Sequence, residues 1–182
     1  MKKTFAMIVM SAAAMGLAGQ VMAATPEAKA TYKAANDLAA SDYKIAHAKC
    51  ESLTGNPKDV CVAEAKAARI YVEANAKAQY KNTLSARTSA TKSIADANYD
   101  VDKAKCGSMT GNDKDVCIKK AKATKVAAVA NATADKKVVE ARTDARDDKK
   151  TAEYKVALEK CDALAGAAKD TCVAAAKTQF GK

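Results

Sequence analysis

Six cysteines are the residues of this chain best equipped for chemistry, and they come as three pairs: Cys50 and Cys61, Cys106 and Cys117, Cys161 and Cys172. Each pair frames a similar segment: "KCESLTGNPKDVC" at 49–61, "KCGSMTGNDKDVC" at 105–117 and "KCDALAGAAKDTC" at 160–172. Neighbouring thiols can hold a metal, act as nucleophiles or oxidise to disulfides. Zinc sites take partners two to four residues apart, often with histidines. Here ten residues separate the partners, and His47 is the one histidine. It reads as a partly exposed helical residue, not a ligand. No c-type haem attachment motif is present. A catalytic nucleophile needs a base and an orienting group, and no serine sits in a glycine-rich elbow. Asp147 and Asp148 fall in "ARTDARDDKK", a mixed-charge run typical of solvated helix. Phosphate loops and dinucleotide fingerprints are absent. The expectation is a non-enzyme with no cofactor and no metal, whose thiols form disulfides.

Glycine says where those bonds act. Gly55, Gly111 and Gly166 each stand five residues after a first cysteine, a place that suits the left-handed conformation just past a helix end. Asn56 is then expected to cap the next helix, with Pro57 at its first position and Asp59 near its positive end. Asn112 and Asp115 repeat the pattern. Gly166-Ala167-Ala168 lacks the capping side chain, so the third turn is expected to be the least sharply defined. Gly107 is an extra break that should loosen the second. Two antiparallel helices leaving such a turn bring cysteines at this spacing face to face. Local pairing, Cys50–Cys61, Cys106–Cys117 and Cys161–Cys172, is therefore expected among the 15 pairings that six cysteines allow. Closing so small a loop stabilises by roughly 3 kcal/mol.

The elements that must position these turns are helices. Alanine makes up about a quarter of the chain, tryptophan is absent, and large core residues are sparse. Alanine, lysine and glutamate form helices readily, but they bury little apolar area, so a thin core needs covalent help. Beyond Pro57, the segments 56–106 and 112–165 contain no glycine or proline. The fold expected is all-α: long antiparallel helices, as hairpins or a bundle and partly coiled-coil-like, with three disulfide-stapled turns. Four helices, two long and two shorter, are the first layout. Six, with breaks near 82–93 and 131–138, are the second. Cys61, Ala65, Ala68 and Val72 have coiled-coil spacing that fades into Asn75 and Gln79, which favours alanine seams over leucine knobs.

The cysteine frame belongs to a longer repeat. First cysteines are 56 and 55 residues apart, and Tyr43, Tyr99 and Tyr154 each precede one by seven. "ART" at 86–88 returns at 141–143, each 20 residues before a cysteine. A helical domain, 24–182, is thus read as three units at about 30–85, 86–140 and 141–182.

Residues 1–23, "MKKTFAMIVMSAAAMGLAGQVMA", have the lysines, short apolar run and small-residue site of a secretory signal peptide cut after Ala23. The run is too short to span a bilayer, and no second span is evident. Export to a bacterial periplasm is expected. Losing Lys2 and Lys3 lowers the formal charge from +10 to +8. That balance suits envelope proteins or anionic envelope polymers as partners. Nucleic acid is not expected: lysines lie scattered among acids, as around "CIKKAKATK" (117–125), without the stacking aromatics such binding uses.

The leader and the Ala/Lys-rich helical body resemble the exported helical envelope proteins of Gram-negative bacteria often labelled TolA-like. That resemblance implies a structural or stress-associated envelope role through protein interaction. Long basic hairpins are also similar to those of the periplasmic chaperone Skp, which implies binding of unfolded envelope proteins. Neither likeness carries a site residue onto this chain.

Overall fold

The computed structural model describes residues 25–182; the leader at 1–23 lies outside the described residues. The protein is all-α, with α1 Pro26–Cys50, α2 Gly55–Lys81, α3 Leu84–Lys105, α4 Gly111–Cys161 and α5 Gly166–Phe180. A short 3₁₀ turn, Cys106–Ser108, follows α3. α1 starts as its residues dictate: the Thr25 hydroxyl accepts the Ala28 N–H at 3.1 Å, and Pro26 needs no hydrogen-bond partner there. No described helix is long and apolar enough to cross a membrane.

Each helix packs antiparallel on its neighbours in sequence, so the helices follow one another as a meander. The positions of small residues explain this layout. At about 100° per residue, α3 buries Ala90, Ala97 and Val101 on one side and Thr88 and Ala95 on the opposite side. α3 is therefore covered twice, by α2 and by α4. In α2, Ala65 and Ala76 share the side of Cys61, towards α1, while Ala78 lies across from them, towards α3. Alanine lets helix backbones approach closely but contributes little area. The largest fully buried side chains are Cys50, Cys106 and Cys161. α2 packs through alanine seams, as the fading of its coiled-coil spacing implied: Ala65 is buried, but Ala68 and Val72 of that stripe are exposed. A helix covered on two sides needs two narrow seams, not one.

Five helices correct both expected layouts. The chain breaks at 82–83 and runs unbroken through 131–138. At the break Asn82 takes a left-handed conformation, φ 44°, and its N–H donates to the Ala78 carbonyl at 2.9 Å. Asparagine tolerates this region better than most residues. The Arg87 guanidinium donates to Asn82 Oδ1 at 2.6 Å, and the Thr83 hydroxyl caps α3 by accepting the Ala86 N–H at 3.1 Å. The later segment also carries an asparagine and a threonine, but Asn131 stays helical and the Thr133 hydroxyl donates back to the Val129 carbonyl at 2.8 Å, so α4 continues for 51 residues, a length of about 76 Å. Its first half packs on α3 and its last turns on α5. Residues 137–150 are exposed all round.

Candidate functional site

The three stapled turns share one construction. The carbonyl of the first cysteine accepts the N–H three residues on: Leu53 at 3.0 Å, Met109 at 3.1 Å and Leu164 at 3.0 Å. The chain then extends through Thr54, Thr110 or Ala165 and turns on Gly55, Gly111 or Gly166, with φ of +62°, +55° and +54°. A side chain in that left-handed region costs about 1–2 kcal/mol. Each glycine opens the second helix of its hairpin instead of trailing the first, because the cysteine-to-leucine or cysteine-to-methionine bond has already closed the first. The disulfides Cys50–Cys61, Cys106–Cys117 and Cys161–Cys172 span Cα separations of 5.6, 5.8 and 5.7 Å. All six cysteines are bonded. In each pair the first is fully buried and the second half-buried.

Side-chain caps play no part in these turns. Helices α2, α4 and α5 all begin without one. This corrects the capping role expected of Asn56 and Asn112, and it explains why the third turn, which lacks asparagine, is as sharply formed as the others. Pro57 lies in the first turn of α2, while Asp59 falls just beyond it. Asn56 acts over a long range instead: its side-chain amide donates to the Ala104 carbonyl, near the end of α3, at 2.6 Å. That carbonyl lies in the last turn of α3, where regular helical bonds run out and it otherwise receives only the Cys106 N–H of the cap. The amide lies directly over Gly107, where a β-carbon would collide with it. Gly107 therefore does not loosen its turn but makes room for the neighbouring one, and the first two tips dock side by side.

A Lys-Asp step recurs in all three turns, at 58–59, 114–115 and 169–170, and in two of them its lysine has a separate use. Lys58 reaches back across the first turn to Glu51 at 2.9 Å, and Lys169 across the third to Asp162 at 2.8 Å. The hydrogen bond from Lys58 holds the Glu51 carboxyl below its usual range, with the Lys58 charge adding to the effect and His47, 3.6 Å away, a minor contributor. In the second turn Gly107 stands where that acid would be. His47 is half-exposed and packs beside the Tyr43 ring.

Tyr43, Tyr99 and Tyr154 fix each hairpin two turns back from its bond. Arg69 lies 5.6 Å above the Tyr43 ring, Lys125 5.2 Å from the Tyr99 ring, and Phe180 5.9 Å from Tyr154. The partner is in every case the residue eight places after the second cysteine. Sequence reasoning found the tyrosines and missed the partners, although the equal spacing on both sides of the bond pointed to them. Lys125 also pairs with Asp96 at 2.8 Å, and that hydrogen bond holds its ammonium above the usual lysine range.

What the turns present is apolar. Leu53, Met109 and Leu164, the third residue after each first cysteine, are 38%, 42% and 44% exposed. Open grooves run beside the bonds, floored by Ala65, Ala121 and Ala176 and edged by Lys49, Lys105 and Lys160. Bonded cysteines supply neither thiolate nucleophile nor metal ligand. Among the described residues no group of three histidine, cysteine, aspartate or glutamate side chains could hold a metal. The arrangement is a set of rigid apolar tips with basic margins, two at one end of α4 and one at the other. Comparison with family models, curated proteins and solved structures finds no match for this chain.

Proposed function

We propose that the protein is an exported, non-catalytic component of a bacterial periplasm, with a structural or stress-associated envelope role exerted through protein interaction. The observation that carries this reading is the recurrence of one exposed apolar residue, Leu53, Met109 or Leu164, on each covalently fixed tip. Three disulfides fit an oxidising compartment, and the leader at 1–23 supplies the route. Photo-crosslinking residues placed at 53, 109 and 164 in living cells should yield discrete adducts that the same residue at 33, an exposed position on the shaft of α1, does not. Equal labelling at tip and shaft sites overturns the reading.

The second reading is a Skp-like holdase or a binder of anionic envelope polymers, favoured by the +8 charge and the open helix faces. It requires near-stoichiometric suppression of aggregation of an unfolded outer-membrane protein, weakening as salt screens the surface charge.

A further inference from the structure

The segment joining α2 to α3 reads "KNTLSART" (81–88), and its counterpart inside α4 reads "KVVEART" (137–143). One residue is lost, and the left-handed Asn82 and capping Thr83 give way to Val138 and Val139. β-Branched residues resist the left-handed conformation, so the chain that folds back at 82 runs straight at 138. The faces that α2 and α3 bury against each other nevertheless persist along α4. Ala67, Ile70, Ala74 and Ala78 of α2 correspond to Ala123, Val126, Ala130 and Ala134. Ala90, Ala97 and Val101 of α3 correspond to Ala145, Ala152 and Val156. Val101 is 8% exposed beneath α2, whereas Val126 and Val156 are each 56% exposed. The two halves of one straight helix cannot meet.

We propose that α4 pairs antiparallel with α4 of a second copy of the chain, in a two-fold, domain-swapped dimer. At about 100° per residue, both apolar sets centre within about 60° of each other on one side of α4, so a single continuous face serves both halves. In the α2–α3 contact, Ile70 and Ala97 line a common groove. Carried over, that register sets Val126 opposite Ala152 of the second copy and puts the two-fold axis at the level of residue 139, with Val138, exposed in the single chain, beside it at the edge of the paired face. The swap also covers residues 137–149, which are exposed all round in the single chain. Towards the turns the pairing splays. Asp162 stands where Gly107 admits Asn56, and Lys120 and Lys160 replace the Glu64–Lys105 ion pair. Association therefore tightens as salt rises and screens the two lysines.

Ile45 of α1 occupies the same place before Cys50 as Val156 before Cys161, and it is also exposed. It provides the control. Sedimentation of the purified oxidised chain should show a dimer. Val126→Glu and Val156→Glu should each raise its dissociation constant at least roughly tenfold, because each would bury an unpaired carboxylate. Ile45→Glu should leave it unchanged, and circular dichroism should show equal helix content in all three. Replacing residues 138–140 with Asn-Thr-Leu-Ser should restore the fold-back and give a monomer. An unaltered chain that stays monomeric up to millimolar concentration overturns the proposal. So does a dimer indifferent to Val126→Glu and Val156→Glu, or one broken by Ile45→Glu.

Discussion

The Asn56 amide fills the space over Gly107 while donating to the Ala104 carbonyl, so the first two hairpins are locked by one side chain and one missing side chain. Gly107→Ala should destabilise the protein by about 1–3 kcal/mol through overpacking. In an Asn56→Ala background most of that cost should vanish, leaving the loss of one hydrogen bond, about 1 kcal/mol. Urea unfolding of the double-mutant cycle measures the coupling. Additive effects would show that the two residues do not share the space.

Removing a staple should act locally. Cys161→Ser with Cys172→Ser should cost about 3 kcal/mol in its own hairpin, where α5 packs on α4 alone. Hydrogen exchange should rise throughout Gly166–Phe180 and stay unchanged in α1–α3. The same pair of changes at Cys50 and Cys61 should lower thermal stability without melting the other helices.

Asn82 is a conformational residue. Asn82→Gly keeps the left-handed turn and should change stability by less than about 1 kcal/mol. Asn82→Val should cost about 1–2 kcal/mol and also forfeit the bond from Arg87. Thermal denaturation of the two variants would separate them, and equal effects would count against the left-handed turn.

Glu51 gives the first turn a pH dependence of known sign. Lys58 holds its folded carboxyl below the ordinary glutamate value of 4.5, so the contribution is present at neutral pH. It is lost as acidification passes from that value down through the depressed one. The pair is exposed, and salt should mute the effect. In low salt, the unfolding midpoint of Glu51→Gln should fall less steeply below pH 4.5 than that of the unaltered chain.

Cysteine pairing and the three turn glycines are decided within eleven residues of chain, and there the sequence was legible. Asn56 misled because an asparagine before proline looks like a cap. What decides its role is a carbonyl 48 residues away. Alanine seams in α2 were legible from the fading coiled-coil spacing, but not their number: a meander gives α2 two partners and so two seams, which leave Ala68 and Val72 exposed. Weak helix formers marked the break at 82, but composition alone could not distinguish it from 131–138. The difference lies at the aligned positions, where the left-handed Asn82 and capping Thr83 give way to Val138 and Val139, while Asn131 stays within the helix. Of the candidate site, the staples were readable. The exposed Leu53, Met109 and Leu164 were not, since an apolar residue near a turn is as readily read as core.

Each disulfide closes on itself before the next begins, which bears on how the chain acquires its bonds. Some 45 residues separate Cys61 from Cys106, and a similar stretch separates Cys117 from Cys161. A polypeptide that emerges amino end first presents one complete pair at a time to an oxidant. Pairing in order of appearance is then already the native connectivity. Such a chain needs an oxidase but no isomerase, and its yield should survive the loss of bond-shuffling activity that chains with interleaved cysteines depend on.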